Sequence, residues 1–275
     1  MRKYEARSKI KEYIGQMEKD ELSERTINKY VADIKQWIDF NGDEINFDYM
    51  KRYKKYLVER YSVSSINSKL ISVNRYLKWL GHSELTLRTK RFQRSSSLEH
   101  MVSKADYMKM LEFAKKTNRL KMFYIMRTIA TTGIRIGELK YITVEAVEEG
   151  SVEVYNKGKY RRIYFSHNLC KELNEYCKNE RIMSGIVFLG RNKNKCISSS
   201  AVWKNLKYIA SQVGIPEGNV YPHSFRHLFA RIYMDKIGDI TELSDLLGHS
   251  RLETTWIYTK TTAEEKRERL DKMSL

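Results

Sequence analysis

VEVYNKGKYRRIYF, residues 152–165, decides the fold class, because it alternates apolar and polar positions in two short runs about Asn156–Lys159. A period of two marks half-buried strands, and Gly158 supplies the turn that joins them into a hairpin. On both sides of this hairpin the apolar residues recur every three or four positions instead. The chain has only two prolines, Pro216 and Pro222, to interrupt helices. The fold read from this pattern is mainly α with a small β-hairpin.

Toward the N-terminus, Ile27, Tyr30, Val31, Ile34, Trp37 and Ile38 lie on one face of a helix over residues 24–40. Ser23 is its expected N-cap, and Gly42 lies just past its end. Further helices are expected over about residues 48–60 and 64–80, the second with Ile66, Leu70, Val73, Leu77 and Leu80 inward and Gly81 as the stop. With an opening helix, these make residues 1–82 a basic, all-helical domain. Residues 83–100 carry Arg88, Lys90, Arg91, Arg94 and three consecutive serines with few apolar side chains, and read as a basic linker. A second domain, residues 101–275, opens at Ser103, where Asp106 completes a start resembling a capping box. A mostly apolar helix, Met122 to Thr132, then ends at Gly133.

The chain has 275 residues, 41% of them hydrophobic, which suffices for two buried cores. No apolar run approaches the roughly 18 residues of a membrane span. The opening MRKYEARSKIKEYIG is charged throughout, unlike a signal peptide, so a cytoplasmic protein is expected. Cys170, Cys177 and Cys196 form no CxxC pair and suggest neither a disulfide framework nor a zinc site. Lys and Arg number 51 against 34 Asp and Glu, a formal charge of +17. That surplus favours a polyanionic partner, nucleic acid first, although charge alone also fits an ordinary basic enzyme.

Several short motifs carry chemistry, and each has a bland reading by itself. TGIRIGEL, residues 132–139, sets Arg135 just after a glycine turn at the start of a helix, where an arginine is usually a surface residue. PHSFRH, residues 222–227, puts proline in a first helical turn and His223 and Arg226 on one face. Free N–H groups there favour anions, yet two histidines and an arginine can equally form a structural cluster. In LLGHSRLETTWIYTK, residues 246–260, Gly248 ends a helix, His249 follows, and Tyr258 lies nine residues on. Any one of 19 tyrosines is far more often structural than nucleophilic.

Taken together and in order, Arg135, Lys157, His223, Arg226, His249 and Tyr258 resemble the active-site set of the tyrosine recombinase (phage integrase) family. NKGKYRRIYF, residues 156–165, is similar to the family's lysine-bearing hairpin, and LSERTINKYVADIKQWIDF, residues 22–40, resembles the core-binding domain of Xer-type members. The resemblance spans nearly the whole chain and implies a SAM-like helical core-binding domain followed by an α+β catalytic domain. It implies a site-specific recombinase that cleaves and rejoins double-stranded DNA through a 3′-phosphotyrosyl link, with neither metal nor ATP. Four protomers would assemble on two DNA sites, each closing as a C-shaped clamp, with a partner recombinase or accessory protein as an open question. The tail TAEEKRERLDKMSL would dock on a neighbouring protomer, with a solvated helix as its plain reading. With no room for an arm-binding domain, a simple Xer-like member is expected.

The family roles suit the residue types. Arg135 and Arg226 would grip the non-bridging oxygens of the attacked phosphate, with a hydrogen bond added by His223. Tyr258 would attack, and either His249 or His223 would assist its ionisation, with His249 also a candidate phosphate donor. Lys157 would protonate the leaving 5′-oxygen; Lys159, two residues on, would point the same way on a regular strand. Two rivals stand beside this reading: a type IB topoisomerase-like enzyme, and a catalytically silent DNA-binding accessory protein.

Overall fold

In the computed structural model, helices fall largely where the apolar periods placed them. The structure describes residues 1–40, 42–89, 102–156, 159–192, 194–249 and 252–259, together with Arg267 and Asp271. The chain divides into two compact units, Met1–Ser95 and Ser96–Leu275.

The first unit is all helical: α1 (Lys3–Ser8), α2 (Ile10–Lys19), α3 (Glu24–Ile38), α4 (Phe47–Arg60) and α5 (Val63–Trp79). The single opening helix read from sequence is two, broken at Lys9. Ser23, Asn46 and Ser62 cap α3, α4 and α5 by accepting from backbone N–H groups one turn on. The core is rich in aromatic residues, with Trp37, Tyr49, Tyr53 and Tyr76 wholly buried. Asp33 is buried as well, held by Lys29, Lys69 and Ser72. The segment read as a linker from residue 83 stays on this unit at first. Leu85 is buried in its core, and Leu87 exchanges hydrogen bonds with the Asn74 side chain in both directions.

The second unit contains α6 (Lys104–Lys116), α7 (Leu120–Thr132), α8 (Val144–Glu149), β1 (Ser151–Asn156), β2 (Lys159–Tyr164), α9 (His167–Asn179), α10 (Ser199–Gln212), α11 (Pro222–Lys236) and α12 (Ile240–Leu247). The Ser103 hydroxyl accepts from the Asp106 N–H and donates to the Asp106 carboxylate, half of a capping box. β1 and β2 pair antiparallel, with Val154 opposite Arg161 on the inner face and Tyr155 opposite Tyr160 on the outer one. The main core gathers Ile125, Ile129, Leu139, Phe188 and Phe225. A smaller apolar cluster joins Ala230 and Tyr233 of α11 to Leu243 and Leu247 of α12 and to Tyr258. α11 lies along α7, so the PHSFRH motif meets the end of the helix that precedes Arg135.

Candidate active site

The site is built on two left-handed glycines. Gly133 ends α7 at φ 64°, and a Cβ there would lie 2.6 Å from the Phe229 ring and 2.8 Å from Leu247. Gly248 ends α12 at φ 61°, and a Cβ there would lie 2.4 Å from the Arg161 side chain. Both positions therefore need glycine for backbone conformation and for space.

The last carbonyls of α12 lack partners within the helix and carry the negative end of its dipole. Three arginines satisfy them. Arg161 of β2 donates to Leu246 O, Arg226 of α11 donates to Leu247 O at 2.6 Å, and Arg135 donates to Gly248 O at 3.0 Å. Arg226 also donates to Gly133 O at 2.5 Å, which locks α11 to the end of α7. Arg135 stands at the N-cap of a 3-10 turn over Ile136–Tyr141, where sequence placed the start of a helix. Its own N–H and guanidinium both bind Glu138, whose carboxylate accepts from Arg161 at 2.5 Å as well. Glu138 is 2% exposed and Arg226 3%. Three guanidiniums around one carboxylate leave a local excess of two positive charges.

Burial, then Arg135 and Arg161, push the Arg226 guanidinium down to about 9, so it keeps its charge at neutral pH. The histidines respond in the same sense. Burial followed by Arg226 and Arg135 lowers His249 to about 4, and burial followed by His223 and Arg226 lowers His227 to about 4. His223, at the exposed edge, is also lowered, by desolvation and then Arg226. His249 Nε2 lies 3.2 Å from Arg226 Nη2, and its Nδ1 lies 2.8 Å from the Thr255 hydroxyl. An arginine can only donate, so Nε2 is the bare nitrogen and Nδ1–H donates to Thr255. Tyr258, on a 3-10 turn over Trp256–Thr259, is 7% exposed and pushed up to about 12 by burial. Its hydroxyl lies 2.5 Å from His227 Nδ1.

An open cleft of about 500 Å³ fronts this cluster, lined by Arg135, Tyr160, Arg161, Arg162, Gly248 and His249. A larger recess of about 630 Å³ lies between Lys121 and the start of α10, lined by Leu189, Cys196 and Ile197 as well as by lysines and serines.

The structure thus brings Arg135, Arg226, His249 and Tyr258 into one cluster, with His223 on the first turn of α11 beside them. Lys157 lies outside the described residues, as do Leu270 and Met273 of the tail. Sequence reasoning passed over Glu138, Arg161 and His227. Glu138 stands three residues after Arg135 in TGIRIGEL, and His227 one turn after His223 in PHSFRH, so spacing alone offered both. Arg161 was one of many hairpin cations; its inward place opposite Val154 was the signal.

The Phage integrase family profile matches residues 100–265, more than half of the chain. The chain belongs to the phage integrase family. Among curated relatives, tyrosine recombinase XerA of Pyrococcus furiosus is 28% identical, over 100% of this chain and 97% of its own length. Tyrosine recombinase XerD of Vibrio vulnificus is 27% identical, over 88% of this chain and 87% of its own. Among solved structures, the crystal structure of XerA recombinase matches with a TM-score of 0.55 at 26% identity, covering 99% of both chains. A lambda integrase (75–356) dimer bound to a COC′ core site matches with a TM-score of 0.76 at 16% identity, covering 94% of this chain and 96% of that one. The second likeness is one of fold.

Proposed function

We propose that this protein cuts and rejoins double-stranded DNA at defined sites, with the Tyr258 phenol oxygen attacking a backbone phosphate. The observation that carries this reading is the seating of Arg135 and Arg226 on neighbouring carbonyls, Gly248 and Leu247, in the cluster that holds His249 and Tyr258. Two fixed guanidiniums side by side, with a cationic excess, suit the charge that develops on a five-coordinate phosphorus. Helix carbonyls and Glu138 hold them before substrate arrives, so little reorganisation is needed during reaction.

Attack forms a bond from the Tyr258 oxygen to phosphorus and breaks the bond to the 5′-oxygen, leaving a 3′-phosphotyrosyl link. Lys157, or Lys159 two residues on, supplies the proton that the 5′-oxygen needs. The ester is exchanged rather than hydrolysed, so a 5′-hydroxyl from another strand can reverse the step without input of energy. His249 holds a bare Nε2 toward Arg226, and a docked phosphate diester favours its protonation into a phosphate donor. Residues 1–82 are proposed as the core-binding domain and 101–275 as the catalytic domain, with four protomers acting on two sites. The curated relatives, matched over 97% and 87% of their own length, are named as recombinases, which favours recombination over topoisomerase-type relaxation.

The test uses a nicked suicide duplex carrying the sequence that this protein itself selects from a random library. Wild type should accumulate a covalent complex, while Tyr258→Phe should bind equally and form none. Wild-type cleavage by the phenylalanine variant would refute the assignment, and a silent wild type would revive the accessory-protein reading.

A further inference from the structure

His227 has no part in the reaction set out above, yet it is the group seated on the nucleophile. Its Nδ1 is 2.5 Å from the Tyr258 hydroxyl, with ring centroids 5.4 Å apart. The contact is tertiary, joining α11 to the turn that carries Tyr258, whose ring belongs to the small apolar cluster. His249, offered by the family resemblance as an assistant, has its two ring nitrogens engaged by Arg226 and Thr255. His223, the other candidate, stands at the exposed edge with its ring 6.5 Å from that of His227.

We propose that His227 is a further catalytic residue, whose Nδ1 orients the Tyr258 hydroxyl and accepts its proton as the phenol oxygen attacks phosphorus. This rests on Tyr258 being the nucleophile. As the bond from oxygen to phosphorus forms, the O–H bond breaks and its proton passes to Nδ1, giving an imidazolium. The 5′-oxygen departs with a proton from the hairpin lysine. On rejoining, the attacking 5′-hydroxyl gives its proton back to the hairpin lysine while the imidazolium returns its own to the departing phenol oxygen, so the enzyme ends as it began.

Burial acts on both partners in the direction this requires. It holds the His227 ring neutral and able to accept, and keeps the proton on the Tyr258 phenol in the free protein. The groups facing His227 are Tyr221, His223 and Arg226 on α11, Tyr258, and His249 at the end of α12. Repulsion from His223 and Arg226 helps to keep the ring uncharged. A bound phosphate diester offsets those cations, so the ring gains basicity when the target of attack is in place. The nucleophile is thereby ionised only against substrate.

The experiment compares full-length wild type with His227→Asn and His227→Phe on the nicked duplex described above. Asparagine keeps an acceptor near the Nδ1 position but cannot take up a proton. DNA affinity and thermal midpoint should hold in His227→Asn, while single-turnover cleavage at neutral pH falls by about 10²–10⁴-fold, the range for general acid–base groups. Its rate should climb with pH where wild type levels off, and fluorotyrosine at position 258, which ionises more readily, should recover much of the loss. Wild-type rates in His227→Asn would overturn the proposal. So would a slow variant whose pH profile parallels wild type and which fluorotyrosine leaves unimproved, since that is a structural role only. A wild type that forms no adduct at Tyr258 would instead sink the nucleophile reading beneath it.

Discussion

Arg226 keeps its charge while almost wholly buried because two carbonyls, Gly133 O and Leu247 O, replace its water. Lysine at 226 would keep the charge but lose the planar fork that reaches both carbonyls and a phosphate. Arg226→Lys should therefore bind DNA but cleave about 10²–10³-fold more slowly, the cost of one lost transition-state donor, as read by single-turnover kinetics. The buried histidines set an acid limit on stability. His227 and His249 titrate near 6.5 when unfolded and at about 4 when folded, so between those values the unfolded chain binds more protons. The thermal midpoint should be level above pH 6.5 and fall as pH drops toward 4, and His249→Asn should flatten that slope. Arg135, Arg226 and Tyr258 were legible because their residue types and local motifs resemble a known set. Glu138 and His227 stood at readable spacings, but what they and Arg161 contact depends on where α12 and the Tyr258 turn come to rest.

At the scale of elements, helices with a full apolar face and a serine or asparagine cap could be read directly, as α3, α4 and α5 show. The hairpin was equally plain, since its alternation is backed by the Val154–Arg161 and Tyr155–Tyr160 pairs. The segment after Arg135, where sequence placed the start of a helix, is a 3-10 turn; Glu138 accepts from Arg135 within it and from Arg161 of β2 outside it. The break at Lys9 left no mark in the pattern, for apolar spacing continues across it. The end of α12 is the element that three arginines share, and Gly248 makes room for one of them. Gly248→Ala would strain a left-handed residue and drive a methyl into Arg161, so it should lower stability by about 1–3 kcal/mol. Cleavage should fall further than stability explains, because the Arg135 acceptor is the Gly248 carbonyl itself. Denaturant unfolding set beside single-turnover rates measures both; unchanged rates would show that this carbonyl does not position Arg135.

For the whole molecule, length and hydrophobic content suffice for two cores, and the chain holds two compact units, Met1–Ser95 and Ser96–Leu275. Leu85 and Leu87 hold residues past 82 on the first unit, an attachment with no periodic signal in so short a segment. A charge of +17 on 275 residues favours phosphate contacts as the main source of DNA affinity. Binding should weaken steeply with salt, with log K falling by about 0.9 per phosphate contact for each unit of log salt concentration. Tyr258→Phe should share that slope, since the phenol hydroxyl is neutral in the free protein. A shallow slope in fluorescence anisotropy titrations would mean that the basic surplus serves another partner.

The central claim concerns one oxygen atom, and one measurement reaches it most directly. Wild-type protein is trapped on the nicked duplex, digested with protease and nuclease, and the nucleotide-bearing peptide is sequenced by mass spectrometry. The account predicts a nucleotide phosphate esterified to Tyr258, in the peptide that spans Thr255 and Trp256. A modified peptide centred on any other residue, or none from a sample that has cut its substrate, would contradict it.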